Sequence, residues 1–441
     1  MSLRAVGSFV VLAGVVRAII VPAGSFAPSS TAAADGTRPV AVPAAVWDRF
    51  RGPNGSGLAD APNLPTAWTD ADYRWTIDLP GPGLASPVIW GERLFVAAAD
   101  EAKLERHLLC YATRDGKELW RRTVNFPQEK KHLQNSYATS TPAVDAARVY
   151  HLWQTKAGSQ LSAYDHDGKP LWTCELGAYK SGHGGGISPV VVDGVVALNY
   201  LQEGDSRLIG VDAATGGVRW TVPRKTVKAS YSTPCVFADS AGRKQLIFTS
   251  WSHGVTSVDP ASGTVLWERD TFGASDKEAR RSIGSPFTVA GIVYGNCAFV
   301  GGKKFMVALR PNDKQPTTSP EELFRIDGTV NHMPTAVAYD GLLFCWTDGG
   351  IVLCVDGTTG ETIWQKRVGG NYSGSPIVAG GKLYAMSEDG EAVVLAAARE
   401  FAELGRVKLS EGSRSTPAVA DGTLYLRTFT KLHALGGRKK Q

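Results

Sequence analysis

Gly210-Val211-Asp212-Ala213-Ala214-Thr215-Gly216-Gly217-Val218-Arg219-Trp220 recurs almost position for position as Ser257-Val258-Asp259-Pro260-Ala261-Ser262-Gly263-Thr264-Val265-Leu266-Trp267, and again as Cys354-Val355-Asp356-Gly357-Thr358-Thr359-Gly360-Glu361-Thr362-Ile363-Trp364. Each copy reads as the end of one strand, an Asp-x-x-Thr/Ser-Gly turn, and a short strand closing on Trp. Asp accepts from backbone amides two residues on, and Gly supplies the positive φ that reverses the chain. A unit that repeats in this way indicates a repeat architecture.

A second signature alternates with the first. Ser-Pro or Thr-Pro, small apolar residues, a Gly or Asp turn and an aromatic-rich strand appear at Ser86-Pro87, Thr141-Pro142, Ser188-Pro189, Thr233-Pro234, Ser285-Pro286, Met333-Pro334, Ser375-Pro376 and Thr416-Pro417. The closing positions interleave as Trp120, Trp172, Trp220, Trp267, Phe324, Trp364 and Leu404, one fewer than the Pro positions; Trp75, upstream, supplies the eighth. Each unit of about forty to fifty residues holds four short strands, too few to bury both faces alone, so units must stack. The last unit, from Thr416, lacks its fourth strand, and the strand around Trp75 completes it. The expectation is an all-β fold, an eight-bladed β-propeller of four-stranded blades over residues 73–436, closed by its two chain ends. Ala396 to Leu404 has helical propensity, but repeat register places strands there.

Composition agrees. Gly 49 and Pro 24, with Val, Ile, Tyr and Trp in short runs, favour frequent turns and strands. Residues 1–34 carry Arg4, an apolar run from Ala5 to Val16 and small residues ending at Ala32-Ala33-Ala34. That is the layout of a secretory signal peptide, with export to a periplasmic or extracellular location and no membrane anchor after cleavage. Arg17 leaves too short an apolar stretch to span a bilayer. Residues 35–72 are rich in Pro, Gly and Ala, and Trp47, Phe50 and Trp68 give them apolar surface with which to dock on the body; the alternative is a loose linker. The formal charge of +5 falls to +3 without Arg4 and Arg17 and forms no basic stripe apart from the tail at 437–441, which argues against a nucleic-acid partner. A monomer is expected. Most of the six cysteines read as buried small hydrophobes; if Asp348 to Ile351 make a hairpin loop, Cys345 and Cys354 fall opposite each other as a disulfide candidate.

The Ala/Val-x-Asp-x-x-Thr-Gly-x-x-x-Trp pattern resembles the tryptophan-docking repeat of pyrroloquinoline-quinone (PQQ) type propellers. That resemblance implies that Trp75, Trp120, Trp172, Trp220, Trp267, Phe324, Trp364 and Leu404 dock neighbouring blades. It covers quinoprotein dehydrogenases and non-catalytic relatives such as the scaffold lipoprotein of outer-membrane protein assembly. Trp47-Asp48-Arg49-Phe50-Arg51-Gly52-Pro53 and Asn135 to Pro142 look most like a third group, exported PQQ-like propellers of bacteria. Dehydrogenases resembling this fold carry adjacent cysteines over the quinone and carboxylate and amide ligands for Ca²⁺; this chain has no Cys-Cys pair and no Cys-x-x-Cys-His haem site.

Large polar residues precede each Ser/Thr-Pro strand, where loops gather at one end of the channel: His132 and Asn135, His183, Tyr231, Arg280 and Arg281, Asn331 and His332, Tyr372, and Arg414. Such a ring suits an anionic ligand, with Arg281 and Arg414 as carboxylate forks, the His residues as donors or metal ligands, and Tyr372 as a stacking wall; the alternative is a solvated mouth. Asp165-His166-Asp167-Gly168 lacks the spacing of a calcium loop and reads as a β-turn. No metal site and no resident cofactor are expected. The leading expectation is a non-catalytic module binding a protein or polymer partner on its loop face; the alternative is a PQQ-dependent oxidoreductase, with Ca²⁺, acting on alcohols or sugars.

Overall fold

A computed structural model describes residues 45–226, 228–273, 281–298 and 303–436. Residues 1–34, read above as a signal peptide, residues 35–44, Arg280 and the 437–441 tail lie outside the described residues. Every described element lies within residues 41–441. Among the described residues no helix is long and apolar enough to cross a membrane.

Eight antiparallel four-stranded blades follow one another along the chain, and the sheets of blades 1 and 7 each take a fifth strand from the segment before them. Blade 1 is Val88–Trp90, Arg93–Asp100, Glu105–Ala112 and Glu118–Asn125, and blades 2 to 7 repeat its order. Blade 8 joins Ala418–Ala420, Thr423–Arg427 and Lys431–Gly436 to Tyr73–Asp78, and Trp75 lies opposite Ala434. The ring therefore closes through the early strand, as the repeat count requires. Second and third strands are buried almost throughout because a blade packs on both faces; the outermost strand of blade 1 alternates half-buried and exposed residues.

The turn of the repeat works as its residues dictate. Asp212 Oδ1 accepts from the amides of Ala214 (2.9 Å) and Thr215 (2.8 Å), and Gly216 takes φ +78°. Bonding to Arg219 first, then to the Thr215 amide, lowers the Asp212 carboxyl to about 2. A Cβ on Gly216 would stand 2.7 Å from the Trp172 ring of the preceding blade. Glycine is thus required twice over, by the backbone and by the indole lying on it. The same indole donates Nε1–H to Ala213 O (3.1 Å), and Trp75, Trp120, Trp220 and Trp364 donate likewise to Thr113, His166, Pro260 and Ala398 carbonyls of the next blade. Phe324 packs on Gly360 without a donor. Trp267 departs from the pattern: blade 5 lacks the Asp-x-x-Thr-Gly turn, and the indole turns to Gln245 Oε1 (3.1 Å) in its own blade.

The Ser/Thr-Pro signature is a hydroxyl belt around the axis. The amides of Ser86, Thr141, Thr233, Ser285, Thr335, Ser375 and Thr416 each donate to the Ser or Thr hydroxyl of the following blade at 2.9–3.1 Å, Thr416 reaching Ser86 across the closure. In blade 6 the belt residue is Thr335, two positions past the Met333-Pro334 alignment, because Val337 starts the strand there.

Three further expectations need correction. Leu404 is not a docking residue: it is 40% exposed, and the ladder puts Gly405 at the Trp position, opposite Val394. Blade 8 has no turn for a side chain to dock on, since its third and fourth strands come from opposite ends of the chain. Instead the early segment fills the seam, and a Cβ on Gly405 would meet Thr66 O at 1.8 Å. Ala397 to Ala402 forms neither helix nor strand, and the outer strand begins at Glu403. Cys345 and Cys354 are both free: the strands end at Trp346 and resume at Ile351, and Trp346 pairs with Val352, one residue off the expected register, so Cys345 faces Leu353 and Cys354 faces Phe344. A one-residue slip sends the two thiols to opposite faces of the blade, Cys345 toward blade 5 and Cys354 toward blade 7.

Candidate functional site

The channel has two unlike ends. Beyond the belt, residues 46–59 cross it. Val46–Trp47 pairs with Ile89 and Trp90 of blade 1, Asp48 O accepts from Val144 of blade 2, and Leu58–Ala59 runs parallel to Val378 and Ala379 of blade 7. Between them Arg49 Nη2 donates to Pro234 O (2.8 Å), Asn54 exchanges two bonds with Val236, and Arg51 Nη2 donates to Ala336 O (2.8 Å). Arg51 is wholly buried, and that burial lowers its guanidinium to about 9. Gly52, at φ +66°, lies so close to Trp47 that a Cβ would stand 2.4 Å from the indole. The Trp-Asp-Arg-Phe-Arg-Gly-Pro stretch is therefore a plug that spends its cations on ring carbonyls.

On the loop side lies a cavity of about 200 Å³. Belt hydroxyls, Phe50 from the plug, Leu84, Ile283 and Met333 form its wall, with His132, Asn135, His183, Tyr231 and Arg414 among the polar groups.

The loops hold these polar groups through their own backbone. Asn135 Nδ2 donates to His183 O (2.7 Å) and Gly185 O (2.9 Å), tying the loop before blade 2 to the loop before blade 3. This stacks the His132 and His183 rings at 4.7 Å between centroids and 19°. Arg281 Nη1 lies 2.8 Å from His183 Nδ1 and 2.9 Å from Nε2, and its Nη2 is 3.6 Å from Glu203. Partial burial, then Arg281 and then His132, lower His183 to about 4, so the ring is neutral near pH 7 and accepts from the guanidinium. Across the mouth Arg414 Nη2 pairs with Glu388 (2.9 Å), which also accepts from Ser373.

The other expected site residues stand apart from this cavity. Asn331 is fully buried and donates to Pro334 O (2.6 Å). His332 takes Asp348 Oδ2 on its amide (3.0 Å), and burial lowers its imidazole. Tyr372 is no stacking wall: it is fully buried, edge-on to Trp346 at 5.1 Å. Residue type revealed the His and Arg positions; Phe50 and the belt hydroxyls gave no sign of being lining, although the plug motif and the Ser/Thr-Pro repeat are both visible in the chain.

This geometry has relatives among known proteins. The family model described as outer membrane protein assembly factor BamB matches residues 59–136, 104–326 and 316–437. No curated protein matches the chain. Among solved structures, BamB from Moraxella catarrhalis is similar over 83% of this chain and 97% of that one (TM-score 0.58, 16% identity). A europium-containing methanol dehydrogenase aligns over 89% and 98% (0.65, 12%), and the quinohemoprotein alcohol dehydrogenase from Comamonas testosteroni over 90% and 81% (0.62, 13%). At these identities the likeness concerns the fold, which serves an assembly factor and dehydrogenases alike. The chain belongs to the family of PQQ-type β-propellers that includes BamB.

Proposed function

We propose that the protein is a non-catalytic binding module whose loop face, with the cavity beneath it, takes a short segment of a protein or polymer partner. One observation carries this reading: among the described residues no acid lines the cavity, and the acids of the neighbouring loops are already engaged. Glu203 lies by Arg281 and Lys228, Asp348 by Lys304 and two amides, and Glu388 by Arg414. BamB, an assembly factor by its description, offers an analogy for a protein partner. Export, expected from residues 1–34, belongs to the same proposal.

A second reading, a PQQ-dependent oxidoreductase acting on alcohols or sugars, is favoured by the dehydrogenases' higher TM-scores. The pairing of the nearby acids speaks against a calcium-held quinone. Among the described residues no three His, Cys, Asp or Glu side chains gather as cation ligands, and the mouth carboxylates are neutralised by arginine and lysine. No step through the quinone is therefore assigned to these residues.

Titrating purified protein with PQQ and Ca²⁺ at micromolar concentration separates the readings. The binding module shows neither retained quinone absorbance nor dye reduction with alcohols and aldoses. Stoichiometric quinone with substrate-dependent reduction would establish the oxidoreductase. Recovery of one partner by wild-type protein, lost in Arg414→Glu of unchanged melting temperature, supports the loop face; equal recovery overturns it.

A further inference from the structure

Beside the central cavity lies a second, smaller one of about 30 Å³, walled by blades 1 and 2 and the loop before blade 3. It shares Thr139, Gly185 and Gly186 with its neighbour but none of the belt. Its volume suits one or two water-sized particles.

Three side chains on its wall, each more than nine-tenths buried, hold buried polar atoms without a partner. Arg106, 2% exposed, donates Nη1 to Gln154 O (3.2 Å) while its Nε is unpaired. Gln154 accepts the Gly186 and Ile187 amides on Oε1 (3.0 Å each), and its Nε2 makes no well-formed hydrogen bond, though the Gln154 amide acts on the Tyr179 hydroxyl of the same wall. Ser140 leaves its Oγ unpaired. Arg and the Gln amide nitrogen can only donate, and the hydroxyl is free to do so.

Charge points the same way. The Arg106 guanidinium lies over Phe126 (4.4 Å), Tyr137 (5.6 Å) and Trp153 (5.8 Å), so rings occupy its faces and no carboxylate meets its edge. Burial lowers it only to about 10, so it is charged at neutral pH. Lys130, Lys131 and Lys156 also line the cavity. Lys131 is 3.3 Å from Glu101, and the one acid on the wall, Glu129, is engaged by the Lys156 amide (2.8 and 3.0 Å). Glu129 acts on Arg106 through space but forms no ion pair with it, and a buried cation with spare donors and no anion in bonding contact is an incomplete arrangement.

We propose that this pocket binds a small monovalent anion, held by Arg106 Nε, Gln154 Nε2 and the Ser140 hydroxyl. A free halide and the carboxylate tip of a larger molecule share this chemistry. The site goes beyond the loop-face reading and does not depend on it.

The test compares melting temperatures in chloride, formate and gluconate at equal ionic strength, gluconate being too large to enter. The anion site raises the midpoint by roughly 2 °C in chloride or formate over gluconate. A response to chloride identifies the halide, and one to formate alone identifies the carboxylate. Ser140→Ala, which breaks no bond within the protein, weakens the response, and Arg106→Met abolishes it. Should Arg106→Met fail to fold, a bromide soak of wild-type crystals supplies the second measurement, with an anomalous peak expected between Arg106 and Gln154. Equal midpoints in all three salts, or bromide elsewhere with ordered water in the pocket, would overturn the proposal.

Discussion

The two ends of the channel use the same residue types in opposite ways. At the plugged end Arg49, Arg51 and Asn54 bond to backbone carbonyls of blades 4 and 6, partners that cannot move without moving the ring. At the mouth Arg281 and Arg414 meet His183, Glu203 and Glu388, side chains that can rotate away. Backbone partners make a lock, whereas side-chain partners make contacts that a ligand can exchange. The proposed loop-face binding draws on this difference, although both ends are rich in arginine.

The lock is most easily broken through Trp47, which is 1% exposed. Trp47→Ala is expected to cost roughly 3 to 5 kcal/mol, read from denaturant unfolding, and to open the plugged end to small probes. Loss of less than about 1 kcal/mol would mean that the plug rests on the ring without holding it. A smaller effect is expected at the mouth. Glu388→Gln keeps the shape but removes the partner of Arg414, whose side chain is 19% exposed, and should cost about 1 to 2 kcal/mol while changing partner affinity more than stability.

Acid sharpens the contrast further. His183 holds its imidazole below the ordinary 6.5, at about 4, through burial, Arg281 and His132. Because the folded state favours the neutral ring, its contribution is present above pH 6.5 and is lost as pH falls toward about 4. An NMR titration of the His183 ring should show a midpoint near 4, and Arg281→Gln should move it upward; a midpoint at 6.5 would mean that the Arg281 contact is not kept in solution. The smallest effect concerns the seam between blades 7 and 8. Leu404→Ala should stay within about 0.5 kcal/mol of wild type, unlike Trp220→Ala at roughly 3 to 5 kcal/mol, and a large loss at Leu404 would restore it as a docking residue.

Much of the ring was readable because its rules are local. Asp212, Gly216 and Trp220 lie within one turn and one strand, and their spacing repeats, so blade number and closure through Trp75 come from counting. The candidate site was only partly readable. His132, His183, Arg281 and Arg414 stand in loops whose place is set by the repeat, but which of them meet depends on loop shape, and Asn331 and Tyr372 turn inward. The Cys345 and Leu404 expectations each failed by one residue, one through a shifted hairpin register and the other through the bulge in the outer ladder.

What the amino-acid order determined by itself is the repeating clamp and hence the eight-bladed, end-closed ring, since turn chemistry and strand period act between neighbours. Only the tertiary structure decided that Trp47 to Ala59 seals one end. Arg49 finds its carbonyl 185 residues away and Arg51 finds one 285 residues away. Such partners are chosen by the closed ring, which brings distant backbone within bonding distance and leaves no local signature of the choice.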